Sequence, residues 1–214
     1  MEFLDPKLSQ YSEDHTSPEN DLLKELNRET YANVLIPRML SGHLQGRVLS
    51  MFSKMIRPKT ILEIGTYTGY SALCLAEGLA DNGTLITIDV NEELEDMTRR
   101  YFDKSPFKNN IEFHIANALD VVPQIDKSID LVFIDADKEN YSNYFDLVID
   151  KMPSGGIIIA DNVLWSGKVL DEKQLTKDDE TKALDAFNKK IHLDERVENV
   201  LMPIRDGLMV VRKK

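Results

Sequence analysis

The sequence predicts an α/β protein with a mostly parallel β-sheet, helices on both of its faces, an N-terminal helical cap and a C-terminal antiparallel hairpin. From residue 60 onward, short apolar runs alternate with segments long enough to form helices. The runs are apolar at consecutive positions, which indicates strands covered on both faces. The last two runs are separated only by 203–207, too short a connection for a crossover helix. We therefore expect one domain, 1–214, with a helical cap at 1–56 and the sheet at 57–214.

The N-terminal region is expected to contain two helices. Residues 17–19 (Ser-Pro-Glu) supply an N-cap, a proline at the first helical position and an acidic first turn. A helix should begin there and continue at helical spacing as far as Pro37. A second helix is expected at about 45–56, and the residues before position 17 contain little to bury.

Seven apolar runs predict seven strands. They are 61–64, 85–88, 111–115, 131–134, 157–160, 197–202 and 208–211. The segments 71–79, 92–102 and 141–151 are long enough for crossover helices between parallel strands. The acidic stretch 171–179 is expected to be a solvated loop that leads to a helix near Thr181.

Composition limits the classes of partner and compartment. A net charge of -11 argues against nonspecific binding to nucleic acid or to an anionic membrane. The single cysteine, Cys74, cannot form an internal disulfide, and the first residues lack the basic start and apolar stretch of a signal peptide. No apolar stretch approaches the length of a membrane helix. These features predict a cytoplasmic protein whose partner is a small molecule.

A glycine-containing turn, EIGTYTGYS over 63–71, follows the first predicted strand. Ligands of open parallel sheets bind beyond the carboxyl ends of the strands, and Gly65 and Gly69 allow a close approach of the backbone. The second strand ends at Asp89, where a carboxylate can accept hydrogen bonds from both ribose hydroxyls of a nucleoside. Together the turn and the acid indicate an adenosine-containing ligand.

The glycine spacing distinguishes between such ligands. A dinucleotide fingerprint needs G-x-G-x-x-G to hold a pyrophosphate, whereas this chain has Tyr67 and Tyr70 at the second and third glycine positions. A turn of the form E-x-G-x-x-x-G, with Glu63 at the strand end, suits a positively charged ligand such as S-adenosylmethionine. On turn statistics alone a plain βα connection is an equal alternative. The position of Asp89 favours the cofactor site.

The fourth and fifth predicted strands both end in carboxylates. Asp135 and the pair Asp161-Asn162 are separated by one strand-helix-strand unit, which should place the two strand ends side by side. Oxygen-only ligands favour a hard cation, with Mg²⁺ as the first choice and Ca²⁺ or Mn²⁺ as alternatives. Three protein ligands leave coordination positions of the metal open for water and substrate oxygens. Either aspartate alone would more often cap a helix or end a strand. Their combination favours a metal site.

Lys138, three residues after Asp135, is the candidate general base. A surface lysine is the alternative, but a neighbouring divalent cation disfavours the charged form of a lysine and so prepares it to accept a proton. Asp137 has two possible roles, orienting the metal ligands or capping the helix that begins near Asn140. The four histidines do not show metal-ligand spacing.

Four motifs in this order resemble the cation-dependent O-methyltransferases of the catechol and caffeoyl-coenzyme A type. They are EIGTYTGYS at 63–71, FIDADKENY at 133–141, DNVLWSG at 161–167 and RDGL at 205–208, and the resemblance extends from about Ser41 to the C-terminus. The resemblance implies a Rossmann-like methyltransferase fold with a seven-stranded sheet and a final antiparallel strand. It also implies S-adenosylmethionine as cofactor, a divalent metal and, usually, a homodimer.

Carried over by position, the resemblance assigns roles to residues at several strand ends. It implies cofactor contacts from Ser41, Glu63, Gly65, Thr66, Tyr67, Ser71, Asp89, Ala118 and Asp135. It implies metal ligation by Asp135, Asp161 and Asn162, and catalysis by Lys138 together with Asp135. The acceptor would contact Lys138, Asn162, Trp165 and Ser166, although a single tryptophan more often serves packing.

The predicted function is methyl transfer from S-adenosylmethionine to a hydroxyl of a catechol-like or caffeoyl-type aromatic acceptor, assisted by a divalent metal. Two alternatives come from other classes. A nicotinamide-dependent oxidoreductase would share the turn and the acid. However, this chain lacks the glycine pattern that such an enzyme needs, and that function would leave Asp135, Asp161 and Asn162 unexplained. A catalytically silent nucleoside-binding module would need neither metal ligands nor an adjacent lysine.

Overall fold

The computed structural model describes residues 5–214, which divide into two compact units, 6–117 and 118–214, the second including Asp5. Seven strands form a mixed sheet with helices around it. This architecture confirms the fold class that the alternation of apolar runs predicted. Among the described residues, no helix has both the length and the apolar character needed to cross a membrane.

The unit 6–117 contains three parallel strands in the order β3-β2-β1. The strands are β1 (Thr60–Ile64), β2 (Thr84–Asp89) and β3 (Ile111–Ile115). The helices are α1 (Pro6–Asp14), α2 (Asp21–Asn33), α3 (Gly42–Ile56), α4 (Tyr70–Ala76) and α5 (Glu95–Lys104), with 3₁₀ turns at Pro37–Met39 and Glu92–Leu94. Each parallel connection passes through a helix, as short crossovers in this class of sheet require.

The predictions for the N-terminal helices were partly wrong. The helix expected from residue 17 begins at Asp21, because the side chain of Asn20 accepts a hydrogen bond from the Leu23 amide at 2.9 Å and acts as the N-cap. It ends at Asn33 and does not reach Pro37. Helix α1 was not predicted, because it buries none of its residues and so leaves no apolar pattern to detect.

Burial along the strands follows their positions in the sheet. Every residue of β1 is buried, and so are the four central residues of β2. Strand β3 differs, since its residues alternate between half-buried and exposed and none is buried. It ends the strand order and pairs with β2. The expectation of cover on both faces was therefore wrong for this edge strand.

In the unit 118–214 the strand order is β4-β5-β7-β6. The strands are β4 (Leu131–Ile134), β5 (Ile157–Ala160), β6 (Val197–Met202) and β7 (Leu208–Lys213). The helices are α6 (Ala118–Val121), α7 (Tyr141–Ile149), α8 (Glu172–Lys177) and α9 (Asp179–Leu193), with 3₁₀ turns at Val122–Gln124, Lys138–Asn140 and Trp165–Leu170. Strands β4 and β5 are parallel, and β7 is antiparallel to both β5 and β6. The predicted C-terminal hairpin is confirmed.

The acidic stretch 171–179 is not the loop that its charge suggested. Asp171 caps the short helix α8 by accepting hydrogen bonds from the amides of Lys173 and Gln174. Helix α9 then begins at Asp179, before the predicted start near Thr181. Acidic residues at these positions stabilise the positive ends of the two helices.

Candidate active site

The turn after β1 has an unusual backbone conformation. Gly65, Tyr67 and Gly69 all have positive φ, at 101°, 51° and 88°. A Cβ atom at position 69 would lie 2.6 Å from the Phe102 ring, so only glycine fits there. Helix α4 begins directly after this glycine, at Tyr70. The turn therefore brings the backbone of 65–69 to the carboxyl end of the sheet, where ligands of such sheets bind.

Asp89 lies against this turn from the end of β2. One oxygen of its carboxylate accepts a hydrogen bond from the Tyr67 amide at 2.7 Å, and the other accepts one from the Asn91 amide at 2.9 Å. These two bonds fix the orientation of the carboxylate. Each oxygen has a second lone pair available for hydroxyl donors such as those of a ribose.

Glu63 is completely buried at the end of β1. The Thr87 hydroxyl donates to its Oε2 at 2.5 Å, and the hydroxyls of Thr87 and Thr66 are also 2.5 Å apart. A buried carboxylate needs such hydrogen-bond donors to offset the loss of water. Thr87 was missed by the sequence analysis, although a polar residue in the middle of an apolar strand could have signalled a partner.

The remaining predicted residues of this unit lie on neighbouring helices and loops. Ser41 is buried immediately before α3, and Ser71 is buried in the first turn of α4. The Tyr67 hydroxyl donates to the Ile36 carbonyl at 3.0 Å, which ties the turn to the segment before α3. Burial, followed by the nearby Tyr31, raises the pKa of Tyr67.

In the second unit, Lys138 is the centre of a polar cluster. Its Nζ donates to Asp135 Oδ1 at 3.1 Å, to Asn162 Oδ1 at 2.8 Å and to the Tyr141 hydroxyl at 2.8 Å. The residue is only 7% exposed, so the alternative of an ordinary surface lysine does not hold. These three bonds use the full donor capacity of an ammonium group.

Asp161 and Asn162 approach this cluster from the end of β5. Asp161 is buried, and its Oδ1 accepts a hydrogen bond from the Asn162 amide at 2.7 Å. Asn162 adopts a left-handed conformation with φ of 59°, which turns the chain immediately after the strand. The pairing of Ile134 with Ala160 places the ends of β4 and β5 side by side.

The oxygen atoms of this cluster are of the chemical kind that binds a hard cation. Asp135 Oδ1 and Asn162 Oδ1 both face the same positively charged nitrogen, and Asp161 adds a second carboxylate nearby in the chain. Two carboxylates and an amide oxygen are ligands that Mg²⁺ accepts in proteins. Within 5–214, no group of three or more His, Cys, Asp or Glu residues is arranged to hold a metal. The candidate set includes only two such residues.

Asp137 secures the start of α7. Its two oxygens accept short hydrogen bonds from the Asn140 side chain and from the Tyr144 hydroxyl. Both partners are side chains of the turn and helix that follow, and the Asp137 side chain makes no capping hydrogen bond to the backbone of that turn. Its contacts therefore tie the turn to α7 through side chains and are not those of a helix cap. The residue holds the 3₁₀ turn on which Lys138 is carried.

Trp165 and Ser166 lie on a loop with consecutive left-handed residues, Trp165, Ser166 and Gly167, at φ of 47°, 54° and 80°. The Trp165 ring centroid is 5.7 Å from Lys138 Nζ and 5.2 Å from Lys168 Nζ, so the ring lies near two ammonium groups. Its indole nitrogen is buried and lacks a hydrogen-bond partner among the described residues. Ser166 is exposed.

Comparison with known proteins identifies the family. A family model described as O-methyltransferase matches residues 13–214. The chain belongs to the O-methyltransferase family. Caffeoyl-CoA O-methyltransferase of Medicago sativa is 33% identical over 205 residues, which cover 91% of this chain and 83% of the relative. Caffeoyl-CoA O-methyltransferase 5 of Nicotiana tabacum is 34% identical over 205 residues, covering 91% and 85%.

Solved structures show the same fold as this O-methyltransferase. An O-methyltransferase from Bacillus cereus in complex with SAH has a TM-score of 0.89 and 28% identity, and 97% of each chain is covered. An SAH-bound methyltransferase from Podospora anserina has a TM-score of 0.88 and 28% identity, covering 97% of this chain and 94% of the other. The prediction that the protein is a methyltransferase enzyme is confirmed.

The predicted site residues of this O-methyltransferase form two groups, one within each unit. Glu63, Thr66, Tyr67 and Asp89 come together in the unit 6–117. In the unit 118–214, Lys138 contacts Asp135, Asn162 and Trp165, while the predicted cofactor residue Ala118 is buried at the start of α6. Sequence reasoning missed Tyr141 and Asp206. Both belonged to motifs noted in the sequence, which was the available signal.

Proposed function

We propose that this O-methyltransferase transfers a methyl group from S-adenosylmethionine to a hydroxyl of a catechol-like or caffeoyl-type aromatic acceptor and requires a divalent cation, Mg²⁺ in the first place. The observation that carries the proposal is the convergence of Asp135 Oδ1 and Asn162 Oδ1 on Lys138 Nζ. A cation-binding oxygen set and a candidate base thereby occupy one small cluster. The naming of relatives as caffeoyl-CoA O-methyltransferases supports the acceptor class.

The cofactor would be bound by the turn 65–69 and by Asp89. The Asp89 carboxylate is already oriented by two backbone amides, so it is prepared to accept hydrogen bonds from ribose hydroxyls. The buried carboxyl group of Glu63 lies at the same strand end, beside this turn. When bound, S-adenosylmethionine supplies a methyl group on a positively charged sulfur, which keeps the electron pair when the methyl leaves. The two similar structures that hold SAH support this assignment.

Asp135, Asp161 and Asn162 would hold the cation. A bound divalent cation would supply Lewis acidity, which stabilises negative charge on an oxygen and lowers the pKa of a hydroxyl. Such a cation also suits an acceptor with two neighbouring hydroxyls, because both oxygens can serve as ligands. For this reason we propose an acceptor that carries two hydroxyls on adjacent ring carbons.

Lys138 would act as the general base. In its neutral form Nζ takes the proton of the acceptor hydroxyl, and the oxygen then forms its new bond to the methyl carbon. The Tyr141 hydroxyl, 2.8 Å from Nζ, and the surrounding burial hold the amine in one position. Trp165, near Nζ, would form an apolar wall for the aromatic ring of the acceptor, and Ser166 would contact its exposed side.

The test is methyl transfer from labelled S-adenosylmethionine to catechol, caffeic acid and caffeoyl-CoA, with Mg²⁺ or with excess chelator. Phenol, which has a single hydroxyl, is the matched control acceptor. We expect product from at least one of the vicinal diols, loss of product with chelator and recovery when Mg²⁺ is restored. Product that is independent of the cation would contradict the metal role. Cofactor binding without methylation of any of these acceptors would contradict the acceptor class and would agree with a silent binding module.

Two further parts of the proposal concern assembly and location. We propose a homodimer, as the family resemblance implies, and light scattering during size-exclusion chromatography will measure its mass. A cytoplasmic location is supported by the single cysteine, Cys74, which is buried as a free thiol. Fractionation of cells that express the chain checks this location.

A further inference from the structure

The loop 162–167 holds a conformation that most residues avoid. Trp165 and Ser166 are left-handed in succession, and Asn162 is left-handed three positions earlier. A side chain in this region crowds its own backbone, so L-residues occupy it only when the surroundings hold them there. The loop therefore needs partners outside itself, and these lie in the turn between β6 and β7.

That turn supplies hydrogen bonds to the loop from two successive residues. The Ser166 amide donates to the carboxylate of Asp206, and the Leu164 amide donates to the Asp206 carbonyl at 2.9 Å. The Val163 amide donates to the Gly207 carbonyl at 3.2 Å. The contact is close, because a Cβ atom at position 207 would lie 2.5 Å from Leu164 Cγ. Only glycine allows the turn to approach this far.

The hydrogen bonds within the loop involve the Trp165 and Gly167 amides, whereas the Ser166 amide bonds to Asp206. The Trp165 amide donates to the Asn162 carbonyl at 3.0 Å, and the Gly167 amide donates to the Leu164 carbonyl at 2.9 Å. The Ser166 amide, at the most strained part of the loop, instead uses the side chain of Asp206. A carboxylate is a stronger acceptor for an amide than a neutral group.

We propose that Asp206 is a positioning residue that holds Trp165 and Ser166 of the loop 162–167 in their left-handed conformation and thereby places the Trp165 ring near Lys138 Nζ. The functional consequence rests on the proposed function, in which Asn162, Trp165 and Ser166 contact the metal or the acceptor. The contacts of Asp206 with this loop go to the Leu164 and Ser166 amides, so in this proposal it acts through the loop. It would therefore determine how well the acceptor is bound and would leave cofactor binding unaffected.

The chain contains a single tryptophan, so its fluorescence reports on this loop alone. The experiment compares acrylamide quenching of Trp165 in the full-length wild type, Asp206→Ala and Asp206→Asn. Glu198→Ala is the matched control, because Glu198 lies in the same hairpin and pairs with Arg212 at the surface. We expect quenching to increase about twofold in Asp206→Ala, because an unfixed loop exposes the indole. Asp206→Asn should stay close to the wild type, since an amide oxygen can still accept the Ser166 hydrogen bond.

Kinetics provide the second readout. In Asp206→Ala the acceptor KM should rise about tenfold, while the Kd for S-adenosylmethionine stays within twofold of the wild type. If Asp206→Ala does not fold, Asp206→Glu carries the same test, because its longer side chain keeps the charge but displaces the acceptor oxygen. Unchanged quenching in a folded variant that lacks the Asp206 side chain would overturn the proposal. Increased quenching in a chain whose wild type methylates no acceptor would retain Asp206 as a positioning residue and reject the proposed function alone.

Discussion

The amide oxygen of Asn162 lies 2.8 Å from Lys138 Nζ, although 24 residues separate the two in the chain. They meet because β4 and β5 are parallel neighbours whose final residues, Ile134 and Ala160, are paired. Residues that follow such neighbouring strands must emerge at the same edge of the sheet. The pairing of these strands thus holds a candidate base next to a candidate metal ligand. A substitution of either residue should therefore alter the position of the other.

Replacement of Asp135 by Asn is expected to reduce cation binding and methyl transfer together. The change removes one of only two carboxylates in the candidate set but keeps the size of the side chain. We expect methyl transfer at fixed Mg²⁺ to fall by roughly 100-fold or more, with partial recovery at high Mg²⁺. Calorimetric titration with Mg²⁺ measures the affinity directly. Asp126→Asn, at an exposed position of the same unit, serves as control, and equal Mg²⁺ affinities in the two variants would refute the assignment.

Replacement of Lys138 by Met should remove the base while keeping a long side chain in the buried site. We expect kcat to fall by about 100- to 10,000-fold, the range usual for loss of a general base. The Kd for S-adenosylmethionine should remain within about twofold of the wild type, because Lys138 is not among the proposed cofactor contacts. Lys177→Met at an exposed position of α8 is the control. A Lys138→Met enzyme with normal kcat would exclude Lys138 as the base.

Replacement of Asp89 by Asn tests the cofactor site separately. The two carboxylate oxygens accept hydrogen bonds from the amides of Tyr67 and Asn91 at 2.7 and 2.9 Å. An Asn side chain has only one acceptor oxygen, which would have to serve both these bonds and the ribose. We expect the Kd for S-adenosylmethionine to increase by about 10- to 100-fold, the cost of losing charge-assisted hydrogen bonds. Calorimetry checks this value, with the exposed Asp96→Asn as control. If both variants bind the cofactor equally, Asp89 is not a ribose ligand.

Replacement of Glu77 by Gln should destabilise the contact of α3 with α4. Glu77 accepts hydrogen bonds from Arg47 at 2.9 Å, Ser50 at 2.7 Å and Lys54 at 2.8 Å, and both it and Arg47 are largely buried. Removal of its charge deprives Arg47 of the carboxylate with which it pairs. We expect the free energy of unfolding at pH 7 to fall by about 3 kcal/mol, measured by urea unfolding, with the exposed Glu92→Gln as control.

The same residue predicts a pH dependence of stability. Burial raises the pKa of Glu77, but hydrogen bonds from Arg47, Lys54 and Ser50 outweigh it and lower the pKa from 4.5 to about 2. A carboxyl with a lowered pKa in the folded state stabilises the protein above its unfolded pKa. This contribution is lost as the pH falls from about 4.5 toward about 2. The stability of Glu77→Gln should therefore decrease less than that of the wild type between pH 5 and pH 3, and equal decreases would contradict the prediction.

Much of the fold was predictable because burial leaves a pattern in the sequence. The strands at 111–115, 131–134, 157–160 and 197–202 coincide with the predicted runs. Helix α1 and the start of α2 were missed for local reasons, since α1 buries nothing and a side-chain cap at Asn20 sets the start of α2. Strand β3 was predicted correctly in extent but not in burial, because only the strand order shows that it is an edge.

The sequence by itself determined the succession of the seven strands along the chain, the O-methyltransferase motifs and the candidate residues at the strand ends. These features depend on local composition and on spacing along the chain, which a linear pattern contains. Only the tertiary structure decided that Lys138 is buried against Tyr141 and that Asp206 holds the amide of Ser166. Such contacts depend on side-chain conformations and on which turns approach each other in space. Distance along the chain does not carry that information.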